Sequence, residues 1–339
     1  MNSRELVNAT LEMRNHTGRA PRQLWTLPWA QERGADTIAR ISSDFPPDFT
    51  SPPNCLRQNP PTKGNLYDLG ESMDEWGSVF YNIHPGVVGE VKTPAISPED
   101  EDWSDLSRVH FPEEWLTLDV EKVNAFCAST DKFVMAGCNP RPFEQLQFLR
   151  GTEQLYMDLV TGPSGMRAFM ERMHDLFCRQ ATLWAKTNVD AISFMDDWGS
   201  QRALLINPKH WDEYFKPMYR DYIDIAHKYG KNAFMHSDGY IMEIIPRLID
   251  LGLDALNSQI FCMGVGNLAQ YAGRITFWGE IDRQHLLSRA SLEEIDAAVE
   301  DVRTNLWRDG GCIAQCEYGP GCKGENVYRV FQKWAQWGE

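Results

Sequence analysis

Five short polar runs in this chain each follow directly on an apolar one: Asp196-Asp197, His236-Ser237-Asp238-Gly239, Asn257-Ser258-Gln259, Glu280-Ile281-Asp282 and Cys316-Glu317. Imidazole, carboxylate and thiolate together make a zinc set, and three protein ligands with one open position mark a catalytic metal site. His236, Asp238 and Cys316 are the candidate ligands, with Glu280 as an alternative third. Asp196 and Asp197 are neighbours, so on a straight strand one faces the pocket while the other binds backbone in the turn. The inward carboxylate would orient a protonated substrate group or act as general acid once burial raises its pKa. Glu280 is a further catalytic candidate. Trp198 would wall a ring-bearing substrate, and Asn257, Gln259, Asp282 and Gln284 would line the pocket. Asp, Asn and Ser after a strand often serve only as caps. His236, Glu280 and Cys316 are poor turn formers, which favours chemistry over capping.

Such residues converge only if the elements carrying them share one end of a sheet. Short apolar runs at Gln23–Leu27, Phe133–Gly137, Ala191–Met195, Asn232–Met235, Ala255–Asn257, Ile275–Trp278 and Cys312–Cys316 read as strands. Segments of helical period lie among them, at Phe143–Leu159, Ser164–Thr187, Pro208–Tyr229, Ile241–Leu251, Ser291–Leu306 and Glu325–Trp337. Ser291 and Glu294 form a capping-box pattern. Strand and helix in alternation require parallel strands joined by crossovers, hence an α/β class. No glycine-rich phosphate fingerprint follows an early strand, which argues against a dinucleotide-binding sheet. The expectation is a (β/α)8 TIM barrel whose active site gathers at the strand C-terminal ends. One strand is left to be found before Lys132. On the last strand Cys312, Ala314 and Cys316 share a face, and both sulfurs are expected to point into the barrel.

At 339 residues the chain suits one elaborated barrel domain, spanning 1–339, with an N-terminal extension over 1–22 and a Pro-rich loop over 44–63. The acidic Ser97–Ser107 stretch reads as a surface loop. Lys and Arg number 33 against 48 Asp and Glu, a net charge of -15 without a basic tract, which excludes a nucleic-acid surface. Apolar runs are too short to cross a bilayer, and Met1–Arg22 lacks an export signal, so a soluble cytoplasmic protein is expected. Eight cysteines in such a chain read as free thiols, core filler or metal ligands.

Longer motifs sharpen the reading. Asp196-Asp197-Trp198-Gly199, Pro208-Lys209-His210-Trp211, His227-Lys228-Tyr229-Gly230-Lys231, His236-Ser237-Asp238-Gly239, Gly252-Leu253-Asp254-Ala255-Leu256-Asn257 and Gly279-Glu280-Ile281-Asp282 occur in an order that resembles the uroporphyrinogen decarboxylase superfamily. Gly310-Gly311-Cys312 and Glu325-Asn326 continue the likeness over the last two-thirds of the chain. The resemblance implies an α/β barrel and one of two chemistries: decarboxylation of a porphyrinogen, or zinc-dependent methyl transfer to or from a corrinoid protein. The decarboxylase-type Arg-Gln-Ala-Gly-Arg segment is replaced by Arg22-Gln23-Leu24-Trp25-Thr26-Leu27. Without those arginines, fixed forks for substrate carboxylates are missing. The methyltransferase branch is similar in its His-x-Cys-Gly and its distal Cys ahead of Glu-Asn, which His236 and Cys316 match; Asp238 stands in place of the first cysteine. A carboxylate leaves zinc more Lewis acidic, which suits an ether oxygen better than a thiol. The expected function is therefore zinc-dependent methyl transfer between a small methoxylated compound and a corrinoid (cobalamin) supplied by a partner protein. The rivals are decarboxylation of an acidic small molecule and non-catalytic binding of a corrinoid or porphyrin-like ligand.

Overall fold

The computed structural model describes residues 1–338. Its strands are β1 (Arg22–Thr26), β2 (Phe49–Thr50), β3 (Gly70–Met73), β4 (Val79–Asn82), β5 (Glu90–Thr93), β6 (Phe133–Val134), β7 (Ala191–Met195), β8 (Asn232–Ser237), β9 (Ala255–Ser258), β10 (Thr276–Trp278) and β11 (Cys312–Tyr318). Six of them form a parallel sheet in the order β1-β11-β10-β9-β8-β7. β2 and β6 form a separate parallel pair. Isolated bonds tie this pair to both ends of the larger sheet: Asp48 N–H donates to the Arg22 carbonyl at 2.9 Å, and Met135 bridges Ala191. The result is an α/β fold with a curled parallel sheet, TIM-barrel-like, in which the continuous ladder covers six strands and not the eight expected.

The missing strand lies where a loop was expected. Phe49–Thr50 sits inside the Pro-rich 44–63 segment, with Pro46-Pro47 before it and Pro52-Pro53 after it. Proline has no N–H to donate, so pairing stops within two residues. An antiparallel sheet, β3-β4-β5, follows before β6 and had no clear signal in the sequence. The predicted Phe143–Leu159 helix is in fact two, Pro142–Arg150 and Thr152–Thr161, divided at Gly151, whose φ of +82° only glycine adopts without strain. Pro217 has a related effect. It cannot donate, and the turn before it, Trp211–Phe215, opens to a π-helix between Pro208–His210 and Lys216–Lys228. The capping box expected at Ser291 and Glu294 is present at the start of Leu292–Leu306.

Two cores result from the sheet's two faces. Phe49, Phe133, Met135, Ala191, Phe234, Ala255, Trp278 and Ile313 pack inside the curl. A larger core, which includes Phe194, Met235, Leu256, Phe277, Ala314 and Cys316, lies between the strands and the helices. The 1–22 segment is more than an extension. Its Ser3–Leu11 helix, capped by Asn2 and Glu5, sends Val7 and Leu11 into the inner core. Arg4 ties it to Asp190 at 2.9 Å, just ahead of β7, so the helix plugs the end where strands begin. No helix among the described residues is long and apolar enough to cross a membrane.

Val7 is fully buried in that plug. Val7→Asp would strand a carboxylate among apolar neighbours, and the expected loss is about 3 kcal/mol or more. Urea unfolding should register it as a lower midpoint with an unchanged slope; a loss under about 1 kcal/mol would mean that the plug is not part of the cooperative core.

Candidate active site

The polar runs do gather beyond the C-terminal ends of the strands, and strand alternation sorts their members into inward and outward groups. On β7 the inward series continues to Asp197. Asp196 points the other way and is fully buried: its carboxylate accepts from the Phe143 and Glu144 amides at 3.1 and 2.6 Å and from the Tyr219 hydroxyl at 2.5 Å. It thereby caps the Pro142–Arg150 helix. Burial, despite these hydrogen bonds, raises its pKa well above the usual carboxylate range. Trp198 is also turned away from the pocket. It stacks on Phe143 with ring centroids 4.0 Å apart and donates its indole N–H to Tyr219, so the expected substrate wall is a core side chain.

On β8 the inward series brings out His236 and Asp238. His236 Nε2 lies 3.5 Å from Asp197 Oδ1 and 3.7 Å from Asp238 Oδ1. These three residues can each offer one ligand atom within 4.8 Å of the others. The far side of the imidazole is held: Nδ1 lies 2.7 Å from Asn257 Oδ1, while Asn257 Nδ2 donates to Gln315 Oε1 at 3.1 Å and to the Trp278 carbonyl. Asn257 is fully buried, so it orients His236 and does not line the cleft. Trp25 packs against the ring at 5.3 Å and meets Trp278 edge-on at 5.1 Å, which makes an aromatic floor. Burial alone would drive the proton from His236; Asp197 and Asp238 outweigh it and push the pKa up to about 10.

Backbone contact between two loops fixes this geometry. Gly199 N–H donates to the Asp238 carbonyl at 3.0 Å, and Asp238 N–H donates to Asp197 Oδ1 at 3.0 Å. A Cβ on Gly239 would stand 2.0 Å from the Gly199 carbonyl oxygen, so the two chains pass at a distance that only glycine allows.

Cys316 does not meet His236. On β11 the inward residues are Ile313, Gln315 and Glu317, while Cys312, Ala314 and Cys316 face the helix layer. The expectation that both sulfurs point inward was wrong by one residue of phase, and Cys316 is a core side chain outside the His236 group. A polar residue in the middle of the apolar run Cys312-Ile313-Ala314-Gln315-Cys316 was the available signal, because a buried Gln must be turned toward partners. Gln315 is therefore a functional candidate that the sequence reading missed, and Glu317, noted there only as part of a polar run, is another. So is Arg283, which pairs with Asp238, with Glu317 at 2.5 Å and with Glu280 at 3.3 Å.

Glu280 is almost fully buried and neither of its carboxylate oxygens has a hydrogen bond; one oxygen of Asp238 is also without one. Burial first, then the nearby Asp238 and Glu317 acting against Arg283, pushes Glu280 up to about 8. A cleft of about 350 Å³ opens beside these groups, lined by Gln259, Glu280, Asp282, Arg283 and Gln284 among others. Gln259 accepts from the Gly239 amide at 3.2 Å, and Asp282 holds the Gln284 and His285 amides at 2.7 and 2.9 Å. Asp197 retains 40% of its side-chain exposure and His236 14%, so the group is reachable from solvent.

The family model of uroporphyrinogen decarboxylase (URO-D) matches residues 81–334. The chain belongs to that family. Among solved structures, a methyltransferase from Methanosarcina mazei is similar over 99% of this chain and 99% of its own, with a TM-score of 0.68 at 11% identity. That likeness extends the fold through the N-terminal plug. A D-psicose 3-epimerase crystallised in the presence of D-fructose matches 71% of this chain and 84% of its own at 12% identity, with a TM-score of 0.31. A search of curated proteins finds no match.

Arg283 is the cation that the buried Glu280 and the partly buried Asp238 and Glu317 share. Arg283→Met is expected to cost about 3–5 kcal/mol, because Asp238, Glu280 and Glu317 would be left without it. Adding Glu280→Gln to that variant should restore part of the loss in urea unfolding; no recovery would mean that Glu280 is not stabilised through Arg283.

Proposed function

We propose that this member of the uroporphyrinogen decarboxylase family is a metal-dependent methyltransferase, moving a methyl group between a small methoxylated compound and a corrinoid held by a partner protein. The observation that carries the reading is the convergence of Asp197, His236 and Asp238, with one Asp238 oxygen buried and without a hydrogen bond. This nitrogen and oxygen donor set fits a divalent ion, and zinc is our choice for it. The sign of the site agrees. Asp197, Asp238 and Glu317 outnumber His236 and Arg283 even while Glu280 keeps its proton, a balance that attracts a cation and repels the polycarboxylate that a porphyrinogen decarboxylase must hold. The full-length likeness to a solved methyltransferase supports the same branch.

A bound zinc would supply Lewis acidity toward the substrate oxygen. Asn257 Oδ1, bonded to His236 Nδ1, keeps His236 Nε2 turned toward the two aspartates. Arg283 draws one Asp238 oxygen aside and leaves the other for the ion. In such a transfer the pair for the new bond to the methyl carbon would come from the reduced corrinoid of the partner, and the carbon–oxygen bond would break with its electron pair left on the ether oxygen. A proton must then reach it, and Glu280, which burial keeps protonated up to about 8, stands at the cleft to give one. Gln259, Asp282 and Gln284 shape the cleft for the rest of the substrate. We read the β2–β6 arc as closing an eight-stranded (β/α)8 barrel around this site. The eight free cysteines suit a reducing cytoplasm.

The test is methyl transfer from methoxylated aromatic compounds to reduced cobalamin. His236→Ala and Asp197→Asn are expected to lower turnover by about 100-fold or more, and Asn257→Ala to weaken metal affinity about 10–100-fold. Carbon dioxide release from a carboxylated substrate, with no methyl transfer and no dependence on chelators, would replace this reading by the decarboxylase one.

A further inference from the structure

Apart from the site described, the helices before and after β7 carry a second group of ligand-type side chains. His174 and Cys178 lie four residues apart on the Ser164–Ala185 helix and so share one face. Asp221 comes from the neighbouring Lys216–Lys228 helix. Their potential ligand atoms lie within 4.8 Å of one another. His174 Nε2 is 3.0 Å from Asp221 Oδ2 and 3.5 Å from Cys178 Sγ. Nδ1 of the same ring is 3.1 Å from the buried Tyr222 hydroxyl.

This arrangement distinguishes two chemistries. In a Cys-His-Asp catalytic triad the thiol and the carboxylate use opposite nitrogens of the imidazole. Here Asp221 takes Nε2 and Tyr222 takes Nδ1, so neither nitrogen is turned to the thiol as its base, and the sulfur stands almost evenly between them, 3.5 Å from Nε2 and 3.7 Å from Nδ1. Sulfur, oxygen and nitrogen ligand atoms within 4.8 Å of one another, with the other ring nitrogen braced from behind, make a donor set that a metal ion can draw together by a turn of the Cys178 side chain. Zinc bonds of about 2.0–2.3 Å in tetrahedral geometry place neighbouring ligand atoms roughly 3.3–3.6 Å apart; the Nε2–sulfur separation lies in that range, and the shorter Nε2–Oδ2 one is a hydrogen bond that an ion would replace. Arg220 engages Asp221 through Oδ1 at 3.4 Å, which leaves Oδ2 on the His174 side. All three side chains are partly exposed, so an ion has a way in and a fourth position for water.

We propose that His174, Cys178 and Asp221 form a binding site for a divalent transition-metal ion, of the zinc or cobalt class, that clamps the Ser164–Ala185 helix to the Lys216–Lys228 helix. This site contains sulfur and the Asp197–His236–Asp238 group does not, so cobalt reports on them separately.

The probe is Co²⁺ alone, added to metal-stripped full-length protein. A sulfur-to-cobalt charge-transfer band in the near ultraviolet is expected for the wild type and for His236→Ala. It should vanish in Cys178→Ser and weaken in His174→Ala, each checked for native circular dichroism. The wild-type melting temperature should rise with Co²⁺ concentration, and that rise should shrink in both helix variants. No such band in the wild type overturns the proposal whatever the variants do, and so does a band that survives Cys178→Ser or disappears in His236→Ala. Because His236→Ala abolishes the proposed methyl transfer and not this band, failure of one reading leaves the other standing.

Discussion

A strand turns successive side chains to opposite faces, and in a sheet curled on itself one face looks at the pocket while the other looks at the helices. Almost everything at this site follows from that two-residue alternation. It carries Ala191 and Phe234 inward at the base and brings Asp197, His236 and Asp238 out on the same side at the rim. It also sends Asp196 and Cys316 into the layer beneath the helices, although they are of residue types as capable of chemistry as the ones that face the cleft. A slip of one residue would exchange the two sets.

The outward residues are not idle. Asp196 anchors the helix that follows β6, and Trp198 stacks on Phe143 of the same helix. Through this connection the loop bearing Asp197 is held from behind. Gly199 and Gly239 then bring it against the loop that bears Asp238. The rim geometry is thus fixed by core packing and not by attraction among the carboxylates, whose like charges would otherwise separate them.

Electrostatics gives the pocket its character. Four carboxylates surround one guanidinium and one imidazole, and some of the resulting repulsion is relieved where Glu280 keeps its proton up to about 8 and His236 gains one up to about 10. An added cation would relieve the same strain. The metal proposal and the Glu280 proton donor therefore rest on a common feature, a buried excess of negative charge. The outer His174–Cys178–Asp221 group draws on a different one, a thiol and an imidazole set one helical turn apart.

By itself the sequence determined the class of fold, most strand and helix positions, and which polar segments close the strands at the rim. Those are local properties, written in apolar period, in caps such as Ser291 with Glu294, and in polar residues closing apolar runs. It did not reveal β2, whose two residues between prolines have too little period to be seen, nor the antiparallel insert. It also suggested the opposite phase for β11, with Cys316 inward on the face that Ile313, Gln315 and Glu317 in fact hold. Only the tertiary structure decided that, because the direction of a side chain depends on where its strand enters the curled sheet. Arg283 became visible for the same reason: its partners Asp238, Glu280 and Glu317 come from three different strand ends, and no pattern along the chain links them.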